Sequence, residues 1–147
     1  MKTKDIAPCG INCSLCLGYQ RDKNHCNGCN GSDDHKAYHC IECRIRNCEE
    51  KKGNKELLCS KCKKYPCRRI KDLEKRYTNR YNVSIYKNFE DIKILGIREF
   101  IKKEKAKWQC DKCGKYFCMH REKCLFCGNQ SLIYIEKRNN LTNASTL

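Results

Sequence analysis

The stretch CDKCGKYFCMHREKCLFCG, from Cys110 to Gly128, contains two Cys-x2-Cys pairs with ten residues between them. Each pair forms a tight turn that aims two sulfur atoms at one centre, and two pairs supply the four ligands of a tetrahedral zinc site. Because four thiolates leave no open coordination position, we expect a structural site of the zinc ribbon type. Its predicted ligands are Cys110, Cys113, Cys124 and Cys127.

Cys118 and His120 lie between these pairs, and both are of residue types that can bind metal. We interpret them as a surface thiol and a surface histidine. The alternative is that they replace one ligand or form part of a second site.

Sixteen of the 147 residues are cysteines, which is far above ordinary usage. The N-terminal sequence MKTKDIAPCG lacks the apolar run of about 7–15 residues that a signal peptide needs. No apolar stretch approaches the roughly 20 residues of a membrane-spanning helix. We therefore expect a protein of the reducing cytosol, where paired cysteines bind metal rather than form disulfides.

The distribution of cysteines divides the chain into four segments. We predict a cysteine-rich metal-binding head (residues 1–67), a helical connector that packs on the head (68–109), a zinc ribbon (110–137) and a disordered tail (138–147). Apolar residues other than cysteine are sparse, so metal–thiolate bonds must replace part of the core. The predicted fold class is a small metal-stabilised α+β protein with a zinc-knuckle head, two or three helices and a C-terminal zinc ribbon.

The connector shows the apolar spacing of helices. One helix is predicted after Pro66, with Ile70, Leu73 and Tyr77 on its buried face. A second is predicted to begin at Asn88 as N-cap and to end at Gly96.

The sequence IREFIKKEKAKW, residues 97–108, predicts a third helix that buries Ile97, Phe100 and Ile101. Further on, SLIYIEK (residues 131–137) is rich in β-branched and aromatic residues and predicts a strand.

Eleven cysteines lie in the head, and their spacing permits more than one grouping. The first candidate set is Cys-x2-Cys-x9-Cys-x2-Cys and the second is Cys-x2-Cys-x15-Cys-x2-Cys; interleaved pairing of the same four pairs fits equally well. The three remaining cysteines could form a third head site with a histidine, for a total of three or four zinc ions in the chain. The sets are Cys13, Cys16, Cys26 and Cys29; Cys40, Cys43, Cys59 and Cys62; and Cys9, Cys48 and Cys67.

The N-terminal Cys-x3-Cys-x2-Cys spacing of Cys9, Cys13 and Cys16 is also the one by which radical S-adenosylmethionine enzymes hold a [4Fe–4S] cluster. That chemistry needs a barrel larger than this chain. The run typical of bacterial ferredoxins is absent as well. Because thiolates suit both zinc and iron–sulfur clusters, a non-radical cluster in the head is the alternative to zinc.

The order of motifs in the head, CGINCSLC, CNGC, CRIRNC and CSKCKKYPC, resembles the small prokaryotic cysteine-rich family catalogued as domain of unknown function 3795. The resemblance covers roughly residues 7–75. The C-terminal cysteine motif resembles a ribbon that some members of that family carry. The resemblance implies a cytosolic, zinc-binding protein and no established reaction.

The formal charge of +15 indicates a basic surface. Thiolate ligation of four zinc ions by all sixteen cysteines would lower it to about +7. Such a surface makes nucleic acid or an acidic protein the candidate partner, whereas neither a membrane nor a small-molecule substrate is indicated. The candidate basic residues are Lys63, Lys64, Arg68, Arg69, Lys71, Lys75, Arg76, Arg80, Lys102, Lys103, Lys105 and Lys107.

No catalytic triad, phosphate-binding glycine loop or H-E-x-x-H motif is found in the sequence. We therefore predict a multi-zinc structural or binding module without catalytic residues. The alternatives are an iron–sulfur or thiol redox protein that uses the N-terminal cysteines, and a zinc-handling protein.

Overall fold

The computed structural model describes residues 1–54 and 56–144. Two short helices lie in the head and four longer ones follow. They are α1 (Leu17–Gln20), α2 (Tyr38–Ile41), α3 (Arg68–Tyr81), α4 (Ile85–Leu95), α5 (Ile97–Trp108) and α6 (Leu132–Ala144). Four 3₁₀ turns complete the head, at Thr3–Asp5, Cys13–Leu15, Glu49–Lys51 and Cys59–Lys61.

The β part of the predicted α+β class is not found in the described residues. Their β pairing consists of isolated bridges, Ile6 with Asn12, Gln109 with Tyr116 and Lys123 with Gln130. The fold is therefore small and helix-rich.

The strand predicted at residues 131–137 is wrong, because residues 132–137 belong to α6. Ile133 and Tyr134 are both buried, although a strand would project consecutive side chains to opposite faces. A helix places neighbours about 100° apart, so both can face the same core. Helix α6 also continues over residues 138–144, where we predicted a disordered tail; residues 145–147 lie outside the described part.

Two helices of the connector match the prediction. Ile70 and Leu73 of α3 are buried and Tyr77 is half-buried, as the apolar spacing indicated. Helix α5 has the predicted bounds, and its Phe100 and Ile101 are buried, whereas Ile97 is only half-buried.

The start of α4 differs from the prediction. Ser84, not Asn88, is the N-cap, and its Oγ accepts a hydrogen bond from Lys87 N at 3.1 Å. Asn88 lies inside the helix, where its buried amide donates to Gly10 O at 3.0 Å. The predicted end at Gly96 is confirmed, and its φ of +82° suits glycine.

One apolar cluster joins all parts of the chain. Helix α4 packs against both α3 and α5, and residues of the head and of the C-terminal part meet these helices. Met119 N donates to Leu15 O at 2.8 Å at the contact between the two cysteine-rich parts. Among the described helices, none combines the length and apolarity needed to cross a membrane. The cluster includes Leu15, Ile70, Ile85, Phe89, Trp108, Phe117, Met119 and Ile133.

Candidate metal centres

Four cysteines at the C-terminal end converge, as their spacing predicted. The Sγ atoms of Cys110, Cys113, Cys124 and Cys127 all lie within 4.8 Å of one another. Cys110 Sγ is 3.6 Å from Cys127 Sγ, and Cys113 Sγ is 3.6 Å from Cys124 Sγ. Tetrahedral zinc with Zn–S bonds near 2.3 Å requires sulfur atoms about 3.8 Å apart. This C-terminal cysteine group could therefore bind a metal ion.

Two matching turns position these sulfur atoms. Gly114 N donates to Cys110 O at 2.8 Å, and Gly128 N donates to Cys124 O at 3.0 Å. Both glycines have a φ of +73°, a conformation that side chains disfavour. Each turn thus brings its two thiols to the same side.

The backbone also favours ionisation of one thiol in this group. Burial opposes ionisation of Cys110, which is 1% exposed, but the N–H groups of Cys113 and Lys112 lower the pKa of Cys110 to about 6. Because the thiolate is the form that binds metal, the turn prepares a ligand at neutral pH.

Cys118 and His120 are not surface residues, contrary to our interpretation. Cys118 is fully buried and His120 is half-buried. Leu17 N donates to His120 Nδ1 at 3.3 Å, and the Tyr77 hydroxyl lies 3.4 Å from Nε2. The hydrogen bond between His120 and Leu17 connects the loop between the two C-terminal cysteine pairs to the head. Sequence spacing could not reveal this, because the contacts come from residues distant in the chain.

In the head, the structure brings the first predicted set into one region. Cys29 N donates to Cys13 Sγ at 3.3 Å. A hydrogen bond between the Cys13 and Cys29 side chains shifts their pKa values apart, raising that of Cys13 and lowering that of Cys29 to about 7. Gly18 lies between Cys16 and Cys26, and its carbonyl accepts from Cys26 N at 2.8 Å.

Cys40 and Cys9 lie beside this first set. Burial, followed by the nearby thiolates of Cys29 and Cys16, raises the pKa of Cys40 to about 11. Burial and the thiolate of Cys29 likewise raise the pKa of Cys9. Cys43 interacts with both, since its thiolate contributes to each of these shifts.

The remaining cysteines of the head surround Cys59. Burial raises the pKa of Cys59 to about 11, the Lys51 ammonium opposes this, and the thiolates of Cys67, Cys48 and Cys62 add to it. These four cysteines line one cleft. We call Cys48, Cys59, Cys62 and Cys67 the cleft cysteines.

The head cysteines are spaced more widely than the C-terminal ones. Within residues 1–54 and 56–144, the C-terminal group is the one set of three or more Cys, His, Asp or Glu ligand atoms mutually within 4.8 Å. The three histidines of the head, His25, His35 and His39, are exposed. The geometry therefore does not place a histidine among the thiols of a third head site.

Comparison with known proteins supports the resemblance seen in the head motifs. Neither curated proteins nor solved structures provide a match to the chain. A family model does match, and the matched segment contains all eleven head cysteines but ends before α4 and the C-terminal cysteine group. Residues 5–72 thus match the family described as "Protein of unknown function (DUF3795)", which confirms the resemblance predicted from the head motifs.

Proposed function

We propose that this protein is a cytosolic multi-zinc binding module whose C-terminal cysteine group holds a structural zinc ion. The observation that carries the proposal is the spacing of the four C-terminal sulfur atoms, two of whose separations are 3.6 Å. This spacing suits a single tetrahedral ion, and four thiolates favour zinc over the harder cations that prefer oxygen.

A structural role follows from the coordination chemistry. Four protein ligands leave no position for a water or a substrate, which a catalytic zinc requires. Two of the ligands, Cys110 and Cys124, are buried and the turn around Cys110 packs on the apolar cluster. The ion would therefore fix the C-terminal part against the helices rather than perform chemistry.

The head is proposed to hold further ions, for three or four in total. Its eleven cysteines are buried or half-buried, so they occupy the interior that apolar side chains would fill in another protein of this size. Buried thiols pack as small apolar groups, and metal–thiolate bonds would in addition contribute to folding directly.

The zinc assignment is tested by substituting Cys124→Ser and measuring metal content. We expect the variant to lose about one zinc per chain, because three thiolates and a hydroxyl bind zinc far more weakly. Amide hydrogen exchange should rise between residues 109 and 144, which the ion would anchor. Cys118→Ser, a buried cysteine outside the group, is the matched control and should keep its zinc. Unchanged zinc content in Cys124→Ser would exclude this site.

A second candidate function is binding of an anionic partner. Lys71, Lys75, Arg76 and Arg80 of α3 are exposed, and none of them forms an ion pair with a described acidic residue. Other basic residues of the predicted surface are neutralised, for example Lys102 by Glu99. Cations without an acidic partner attract phosphate groups or an acidic protein face, and nucleic acid is the partner we propose.

A further inference from the structure

A cleft of about 490 Å³ lies in the head beside the first turn of α3. The four cleft cysteines reach it from the ends of two 3₁₀ turns and of helix α3. Cys48 directly precedes the turn Glu49–Lys51. Cys59 is the first residue of the turn Cys59–Lys61, and Cys62 directly follows it. Cys67 is the N-cap of α3. Chain segments that are separate in sequence thus direct four thiols to one space.

We infer that Cys48, Cys59, Cys62 and Cys67 bind one thiophilic metal centre in this cleft, distinct from the C-terminal site. The inference extends the proposed multi-metal function and names the ligand set of one head site. This set differs from the pairing of Cys40 and Cys43 with Cys59 and Cys62, which is one of the groupings that the sequence spacing permits.

The surroundings of the thiols separate these two groupings. Cys59 and Cys62 both line the cleft, whereas Cys43 does not. Cys40 does not line the cleft, whereas Cys48 and Cys67 do.

The charge of the cleft suits a thiolate-rich centre. Four thiolates around a divalent ion carry a net charge of −2. Lys51 lines the cleft and is only 5% exposed, and Lys64, Arg68 and Arg69 line it nearer to solvent. The N-terminus of the 14-residue helix α3 adds partial positive charge at Cys67. These groups offset the negative charge that ligation creates.

The spacing of the thiols is compatible with two kinds of metal centre, a single zinc ion or an iron–sulfur cluster, both bound by the same four cysteines. No three of the cleft sulfur atoms lie mutually within 4.8 Å, although all four residues are described. A single zinc ion would draw them together, whereas an iron–sulfur cluster bridges thiolates that lie farther apart because each binds a different iron. Zinc and iron–sulfur are therefore distinguished by experiment.

The first test measures zinc, iron and acid-labile sulfide in anaerobically purified full-length protein. Cys48→Ser and Cys67→Ser should each lose one metal centre per chain, and the double variant should lose no more than either single variant. Cys118→Ser is the control that should keep all its metal. Loss of zinc alone identifies a mononuclear site, and joint loss of iron and sulfide identifies a cluster; both outcomes support the ligand set.

A second test uses the unaltered protein, so it does not depend on the folding of a variant. Thiols are alkylated during stepwise removal of metal with a chelator, and each cysteine is located by peptide mass spectrometry. The four cleft cysteines should be protected at first and become reactive in the same step. Full metal content in Cys48→Ser, or alkylation of Cys48 and Cys67 in the metal-loaded protein, would overturn the inference.

These readouts are independent of the C-terminal site. The zinc proposal there depends on Cys124→Ser and on peptides containing residues 110–127. A protein could therefore fail one test and pass the other, and the two failures would be distinguishable.

Discussion

His120 lies where the loop between the two C-terminal cysteine pairs meets the head. Its ring accepts a hydrogen bond from Leu17 N and packs edge-on against Tyr77 and Tyr81, with centroid distances of 6.0 and 4.7 Å. Burial lowers the pKa of His120, and the Arg121 guanidinium lowers it further. The folded protein therefore favours the neutral ring.

This preference predicts a pH-dependent contribution to stability. Above the unfolded pKa of about 6.5 the ring is neutral in both states, so its contribution is complete. As the pH falls towards the lower folded pKa, the unfolded state binds a proton first and the contribution is lost. Unfolding free energies should therefore fall more steeply below pH 6.5 in the unaltered protein than in His120→Gln.

The measurement is denaturant unfolding from pH 8 to pH 5.5 with zinc in excess. Metal release at low pH affects both proteins, so only their difference reports on His120. His120→Ala should also lose about 1–3 kcal/mol at pH 8, because the ring contacts are removed. Parallel pH profiles for the unaltered protein and His120→Gln would contradict this role.

At the scale of elements, the N-terminus of α4 depends on a residue of α3. Glu74 accepts hydrogen bonds from Ile85 N at 2.5 Å and Tyr86 N at 3.1 Å, and a third from Ser84 Oγ at 2.8 Å. A carboxylate at this end also interacts favourably with the helix dipole. The Glu74 side chain therefore joins α3 to the backbone N–H groups of α4 and to the hydroxyl of its N-cap residue, Ser84.

Removal of this carboxylate should destabilise the protein noticeably. We expect Glu74→Ala to lower the unfolding free energy by about 1.5–3 kcal/mol, the usual contribution of hydrogen bonds to a charged group. Glu90→Ala is the matched control, since Glu90 makes an exposed ion pair with Lys87, and its removal should cost less than about 1 kcal/mol. Equal losses in the two variants, measured by denaturant unfolding, would show that Glu74 has no capping role.

The same elements show what the sequence could predict. Helices α3 and α5 follow from periodic apolar residues, which determine both the helix and its buried face. The start of α4 was placed four residues too late, at Asn88, although Ser84 is also a residue type that caps helices; the carboxylate that completes this start lies on another helix. Helix α6 was mistaken for a strand, because burial of Ile133 and Tyr134 against the core outweighs the β preference of the segment.

For the whole molecule, the spacing of two short pairs sufficed to predict the C-terminal group. The pairs form independent turns, and ten intervening residues let them meet. The grouping of the head cysteines could not be predicted, because loops of different length allow several pairings. The contacts that bring Cys48 and Cys67 to the cleft depend on how whole segments pack.

The proposed binding of nucleic acid is also a property of the whole surface. Affinity for duplex DNA should fall with salt, with a log–log slope of about −0.9 for each phosphate neutralised. A Lys71→Ala, Lys75→Ala and Arg76→Ala triple variant should bind more weakly and lower the slope by up to about 3, whereas Lys102→Ala, whose cation already pairs with Glu99, should change it little.

Fluorescence titration with mixed-sequence duplex DNA and single-stranded RNA, at low and moderate salt, measures both quantities. Absence of binding to either at low salt would leave the basic residues of α3 as ordinary solvated surface and would favour an acidic protein partner instead.

The contact between Leu17 and His120 joins residues that are 103 positions apart. Ribosomes extend a chain by about 5–20 residues each second, so about 5–20 s separate the synthesis of these two residues. During that interval the apolar face around Leu15 lacks its native covering, and the eleven head thiols become free to react one after another as each is synthesised. Early metal capture by the head would shield these thiols from oxidation while the rest of the chain is still being translated.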